Sequence, residues 1–80
     1  MNMRQAVANR ILALCAERDL TLNKLARMAA VPPSTLKNIV NGASQNPGTV
    51  TVKKLCDGLD ISVTAFFDHE LFRELEQEIV

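Results

Sequence analysis

Between Pro33 and Gly42 the chain places short polar side chains and one cation at helical spacing. Pro33, Ser34, Lys37, Asn38 and Asn41 fall at i, i+1, i+4, i+5 and i+8, on the face opposite Leu36, Ile39 and Val40. A helix with such a face has the groups needed to read base edges, because the major groove of duplex DNA admits an α-helix and displays hydrogen-bond donors and acceptors there. Ser34 suits several base edges, and Asn38 suits a bidentate pair with adenine. Lys37 suits guanine or a phosphate, and Pro33 offers apolar contact to a thymine methyl. A merely solvated helix face carries the same residue types, so the assignment depends on the elements around it.

Lys24 is the second informative position. It stands third in a helix that begins after Thr21, where a capping box calls for Glu or Gln. A cation there opposes the positive end of the helix dipole, at a cost of about 0.3–1 kcal/mol. A neighbouring phosphate would reverse that balance, since free N–H groups and the lysine both favour an anion. The other reading is an exposed lysine screened by water.

No pattern for other chemistry is visible. Cys15 and Cys56 sit inside apolar helical stretches, and with the single His69 they give no metal-ligand spacing. There is no phosphate loop and no nucleophile with a histidine partner, so neither an enzyme nor a cofactor is expected. Trp and Tyr are absent, and Phe66, Phe67 and Phe72 all lie late in the chain, which disfavours recognition of single strands by stacking. The absence of a long apolar run or secretory leader leads to the expectation of a cytoplasmic protein with no membrane contact.

A chain of 80 residues allows one compact domain. Residues 4–17 read as a helix with Val7, Ile11, Leu14 and Cys15 inward. Thr21 caps a helix over 22–29 with Leu22, Leu25, Ala26 and Ala29 inward. Pro33 opens a helix over 33–41, which Asn41-Gly42 ends. Only Ala30 to Pro32 separate these two helices, the signature of a helix-turn-helix. A polar turn over 43–48 leads to a helix at about 49–58, and Ser62 caps a short helix with Val63, Phe66 and Phe67. Leu71, Phe72, Leu75 and Ile79 predict a last amphipathic helix over 69–79. One core is expected to gather Val7, Ile11, Leu14, Leu25, Ala26, Val31, Leu36, Ile39, Leu55 and Leu59.

The net charge of zero hides an asymmetry. Residues 1–56 carry eight basic and two acidic side chains, and residues 57–80 carry one basic and seven acidic. A basic body with an acidic tail fits a polyanionic partner for the basic part, although a solvated surface with uneven charge would look the same.

The stretch from Thr21 to Gly42, with Leu25-Ala26, Val31, Ser34-Thr35-Leu36 and Asn41-Gly42 in order, resembles the helix-turn-helix of the Cro/repressor (Xre-like) family of bacterial and phage regulators. The likeness continues through Ser44, Asn46-Pro47, Thr51-Val52, Lys54-Leu55 and Leu59 to Val63 and then Phe67. It implies an all-α fold with a five-helix DNA-binding domain over residues 1–68, to which the pattern of residues 69–80 adds an acidic C-terminal helix that either dimerises or packs against the first helix. It implies base contacts by Pro33, Ser34, Lys37 and Asn38. Backbone contacts are expected from Thr21, Asn23, Lys24, Thr35, Asn41, Ser44, Gln45 and Asn46. The implied function is sequence-specific binding of double-stranded DNA by a repressor-like transcriptional regulator, as a homodimer at least on DNA, with no small-molecule ligand evident. The alternative is a protein-binding module of the same fold, antitoxin-like or accessory. Three positions depart from the family pattern. Leu22 replaces a common Gln, Ala30 a usual Gly at the turn, and Pro32 the usual Ser or Thr cap.

Overall fold

A computed structural model describes residues 1–44 and 46–79. Five α-helices follow one another: α1 (Met3–Glu17), α2 (Leu22–Ala29), α3 (Pro33–Val40), α4 (Thr49–Leu59) and α5 (Val63–Phe67). A single 3-10 turn, Glu70–Phe72, comes after α5. No strand occurs among the described residues.

Local signals set the helix starts. Asn2 Oδ1 accepts the Gln5 N–H at 2.9 Å, and Gln5 Oε1 accepts the Asn2 N–H at 3.0 Å, a reciprocal capping box. Thr21 Oγ1 accepts the Lys24 N–H, and Ser62 Oγ accepts the Ala65 N–H. Each such cap contributes about 1 kcal/mol. Pro33 occupies the first position of α3, preceded by Pro32, which supplies no side-chain cap.

Three helices end in the same way without a glycine. After α2, Ala30 is left-handed (φ 56°, ψ 40°); its N–H donates to Arg27 C=O, and the Val31 N–H donates to Ala26 C=O at 2.9 Å. This is a Schellman closure. Asp19 and Leu20 close α1, and Asp60 and Ile61 close α4, with the same pair of bonds. In each case the following apolar residue, Leu20, Val31 or Ile61, packs onto the core.

All ten residues expected in the core are buried there, joined by Cys15, Ala29, Val52, Cys56 and Phe66. α2 and α4 approach so closely at Gly58 that a Cβ there would lie 3.0 Å from the backbone N and Cα of Ala29. Arg10 of α1 and Arg18, the residue that caps its C-terminus, tie down distant helix ends. Arg10 donates through Nε to Phe66 C=O (2.8 Å) and through Nη2 to Ala65 C=O (3.1 Å), and Arg18 Nη1 donates to Leu59 C=O (2.6 Å). Both cations thus meet the negative ends of helices.

The C-terminal segment corrects the sequence expectation: residues 69–79 do not form an amphipathic helix. His69 Nδ1 accepts the Leu71 N–H and caps the 3-10 turn, beyond which the described chain leaves helical geometry. Phe72 packs with Phe67 (centroids 4.9 Å apart) and Phe66 (6.1 Å), and the turn lies against α1. Farther on, the Glu76 N–H donates to Met1 C=O, and Glu78 Oε2 accepts the Met3 N–H at 3.3 Å, at the positive start of α1. A helix here would align Glu70 with Glu74 and Glu74 with Glu78 at i,i+4, each a repulsive pair. The nearby cation, Arg73, is paired instead with Asp68.

Candidate nucleic-acid interface

The candidate recognition face is assembled from the burial pattern of α3. Leu36 and Ile39 are buried and Val40 is half-buried, which turns Pro33, Ser34, Lys37, Asn38 and Asn41 outward, all exposed. The side chains of Ser34, Lys37 and Asn38 make no hydrogen bond or ion pair among the described residues, so their polar groups are available to a partner. Thr35 is half-buried. The Thr35 and Leu36 N–H groups both donate to Pro32 C=O, while Pro33 has no N–H to offer.

The other expected contacts divide by how far the fold already uses them. Asn23 and Lys24 are exposed at the start of α2. Thr21 Oγ1 is engaged as the cap, which leaves its hydroxyl proton free to donate. Asn41 Oδ1 accepts the Ala43 N–H at 3.0 Å, and its amide N–H₂ remains. The Ser44 N–H donates to Asn38 C=O, so the main-chain donors at 43 and 44 are committed inside the turn. Asn46 is exposed, and Gln45 lies outside the described residues. The structure therefore brings Pro33, Ser34, Lys37, Asn38 and Asn41 onto one face. Thr21, Asn23 and Lys24 gather at one helix end, and Ser44 and Asn46 lie in the segment leading out of α3.

Leu22 is half-buried and packs against the core, so its side chain serves packing. The basic character of residues 1–56 is also less available than composition implies. Arg10 and Arg18 are spent on helix ends, and Lys53 is paired with Asp57. Arg4, Lys24, Arg27, Lys37 and Lys54 make no ion pair among the described residues. Sequence reasoning missed the arginine clasps because Arg10 falls off the apolar stripe of α1 and its partners are carbonyls, which leave no trace in residue type. The capping box at Asn2 and Gln5 was legible in principle from its spacing.

Among the described residues no group of three His, Cys, Asp or Glu side chains could hold a metal ion, and no helix is long and apolar enough to cross a membrane. Cys15 and Cys56 are free and buried, and burial pushes both thiols above their ordinary pKa.

Comparison with known proteins agrees with this geometry. Residues 10–70 match the family model of the Cro/C1-type HTH DNA-binding domain. The chain is similar to prophage Lp1 protein 11, seen in a crystal structure, with 32% identity and a TM-score of 0.81; the match covers 94% of this chain and 100% of that one. It is also similar to the N-terminal DNA-binding domain of SinR from Bacillus subtilis, with 29% identity over 82% of this chain and 96% of that one, and a TM-score of 0.73. A comparison with curated proteins found no match. With a family model spanning residues 10–70 and the helix-turn-helix formed by α2 and α3, the chain belongs to the Cro/C1-type helix-turn-helix DNA-binding family.

Proposed function

We propose that this protein is a sequence-specific, repressor-like transcriptional regulator that binds duplex DNA as a homodimer and carries out no chemistry of its own. The observation that carries the reading is the outer face of α3, where Ser34, Lys37 and Asn38 are exposed with no partner of their own among the described residues. Base contacts fall to Pro33, Ser34, Lys37 and Asn38. Backbone contacts fall to Thr21, Asn23, Lys24, Thr35, Asn41, Ser44, Gln45 and Asn46, which position the protein without reading sequence. One such module buries little DNA surface, so two copies on a two-fold site supply the affinity. The likeness to the SinR DNA-binding domain supports the same reading, and the site of action is the cytoplasm.

The test begins with selection of bound fragments from random duplex DNA. On the selected site, Asn38→Ala should cost about 1–3 kcal/mol and relax the choice of base at one position. Lys24→Ala should weaken binding to all duplexes alike and lower the salt slope by about one. If no duplex is bound above background at low salt, the DNA reading fails and the face of α3 is a protein-binding surface.

A further inference from the structure

A cavity of about 460 Å³ opens between the first turns of α1, the start of α4 and α5. Met3, Val7, Val52, Val63 and Phe67 give it apolar walls, and Asn46 and Pro47 border it where the chain enters α4. Its size and its mainly apolar lining with few polar groups fall within the range of small-molecule sites. Two charged residues line it, Arg4 and Glu78, and they differ in how they are satisfied. Glu78 is held by the Met3 N–H. Arg4 is half-buried, and its guanidinium makes no hydrogen bond or ion pair among the described residues; no ion pair joins it to Glu78. A half-buried, unpaired cation beside an apolar wall is complementary to an anion with an apolar body.

We propose that this cavity binds a small amphipathic anion, an apolar chain or ring system bearing one carboxylate or sulfonate. The head group pairs with Arg4 and the body lies against Val63 and Phe67. This departs from the sequence expectation of no ligand. Arg4 also reaches the exit of the recognition helix: a Cβ on Gly42 would lie 2.9 Å from Arg4 Nη1. The cavity wall at Asn46 and Pro47 belongs to the turn assigned above to the DNA backbone. An anion on Arg4 therefore alters DNA affinity, a consequence that rests on the DNA-binding reading, whereas occupancy of the cavity does not.

The experiment uses the full chain and 8-anilinonaphthalene-1-sulfonate, an apolar ring system with one sulfonate. Its fluorescence should rise saturably on the folded protein, and decanoate should displace it. Arg4→Met should weaken binding at least tenfold with an unchanged melting temperature, Arg4→Lys should restore part of it, and Val63→Trp should block the cavity. Unchanged binding in Arg4→Met, or no displacement by decanoate, overturns the proposal. So does sedimentation showing a dimer whose formation abolishes dye binding, since a second copy then fills the cavity. With the selected duplex, decanoate should shift DNA affinity in the wild type and not in Arg4→Met. Dye binding that persists without any DNA shift overturns the coupling alone. Failure to bind any duplex overturns the DNA reading and leaves occupancy, read from the dye, confirmed.

Discussion

Replacing Ala30 by glycine should stabilise the domain, against the usual direction of an Ala→Gly change. Ala30 is held at φ 56°, ψ 40° by the Schellman closure of α2. For a residue with a Cβ this conformation costs roughly 1–2 kcal/mol. Glycine removes that strain but gives the unfolded chain more freedom, at a cost of about 0.4–1 kcal/mol. Ala30 is exposed, so no packing is lost, and its N–H bond to Arg27 is a backbone bond that the change leaves intact. The net gain is about 0.5–1 kcal/mol. In a domain of this size that is a rise of about 2–8 °C in melting temperature, read by circular dichroism at 222 nm. The neighbour supplies the control. Ala29 is helical and buried, so Ala29→Gly should lose about 1 kcal/mol or more. A melting temperature for Ala30→Gly equal to or below that of the wild type would refute the reasoning, because strain at the turn would then be smaller than the entropy of one glycine.

Gly58→Ala should destabilise the domain by about 1 kcal/mol in urea unfolding: overpacking against the Ala29 backbone, at about 1–3 kcal/mol, outweighs the helix propensity gained, about 0.5–1 kcal/mol. Arg10→Met should cost about 1.5–3 kcal/mol of stability, since it removes a charged donor from two helix-end carbonyls, yet leave the salt slope of DNA binding unchanged. The buried thiols predict an alkaline limit. Their native pKa values are raised by burial, so the native state keeps these protons where the unfolded chain releases them. Their contribution is complete below the ordinary thiol pKa of about 8.5 and is lost as pH rises through the raised native values. The paired change Cys15→Ala, Cys56→Ala should flatten that part of the stability profile in urea titrations at successive pH values.

The helices were legible wherever a local signal and an apolar period agreed. Thr21, Pro33 and Ser62 mark starts, and Leu25, Leu36 and Ile39 sit on stripes that no other arrangement would bury. The outward side of α3 was legible for the same reason, since its buried stripe fixes which residues turn to the surface. The tail was misread because Leu71, Phe72, Leu75 and Ile79 fit a helical stripe, while the contacts that compete with that helix are made with other elements. Phe72 is drawn to the rings of Phe66 and Phe67, and Glu78 to the start of α1. The roles of Arg10 and Arg18 were hidden because carbonyls at helix ends belong to geometry and not to residue type. Thr21 and Asn41 show a third limit: composition reveals a polar side chain but not whether the fold has already used it.

The arginine clasps bear on how long the native state lasts. Arg10 reaches Phe66 across 56 residues of sequence, and the tail meets the N-terminal turn across 75. Contacts that distant require closure of a long loop before they return any free energy, whereas the connections among α2, α3 and α4 close shorter ones. We expect the helix-turn-helix to assemble first and α1 to be latched to α5 and the tail after the rate-limiting step, which a φ value near zero for Arg10→Met would show. Interactions formed that late slow unfolding and leave the folding rate almost untouched. On that expectation the latch acts on lifetime: it governs how often the molecule opens, and hence how exposed its core is to proteases, independently of how fast α2 and α3 form.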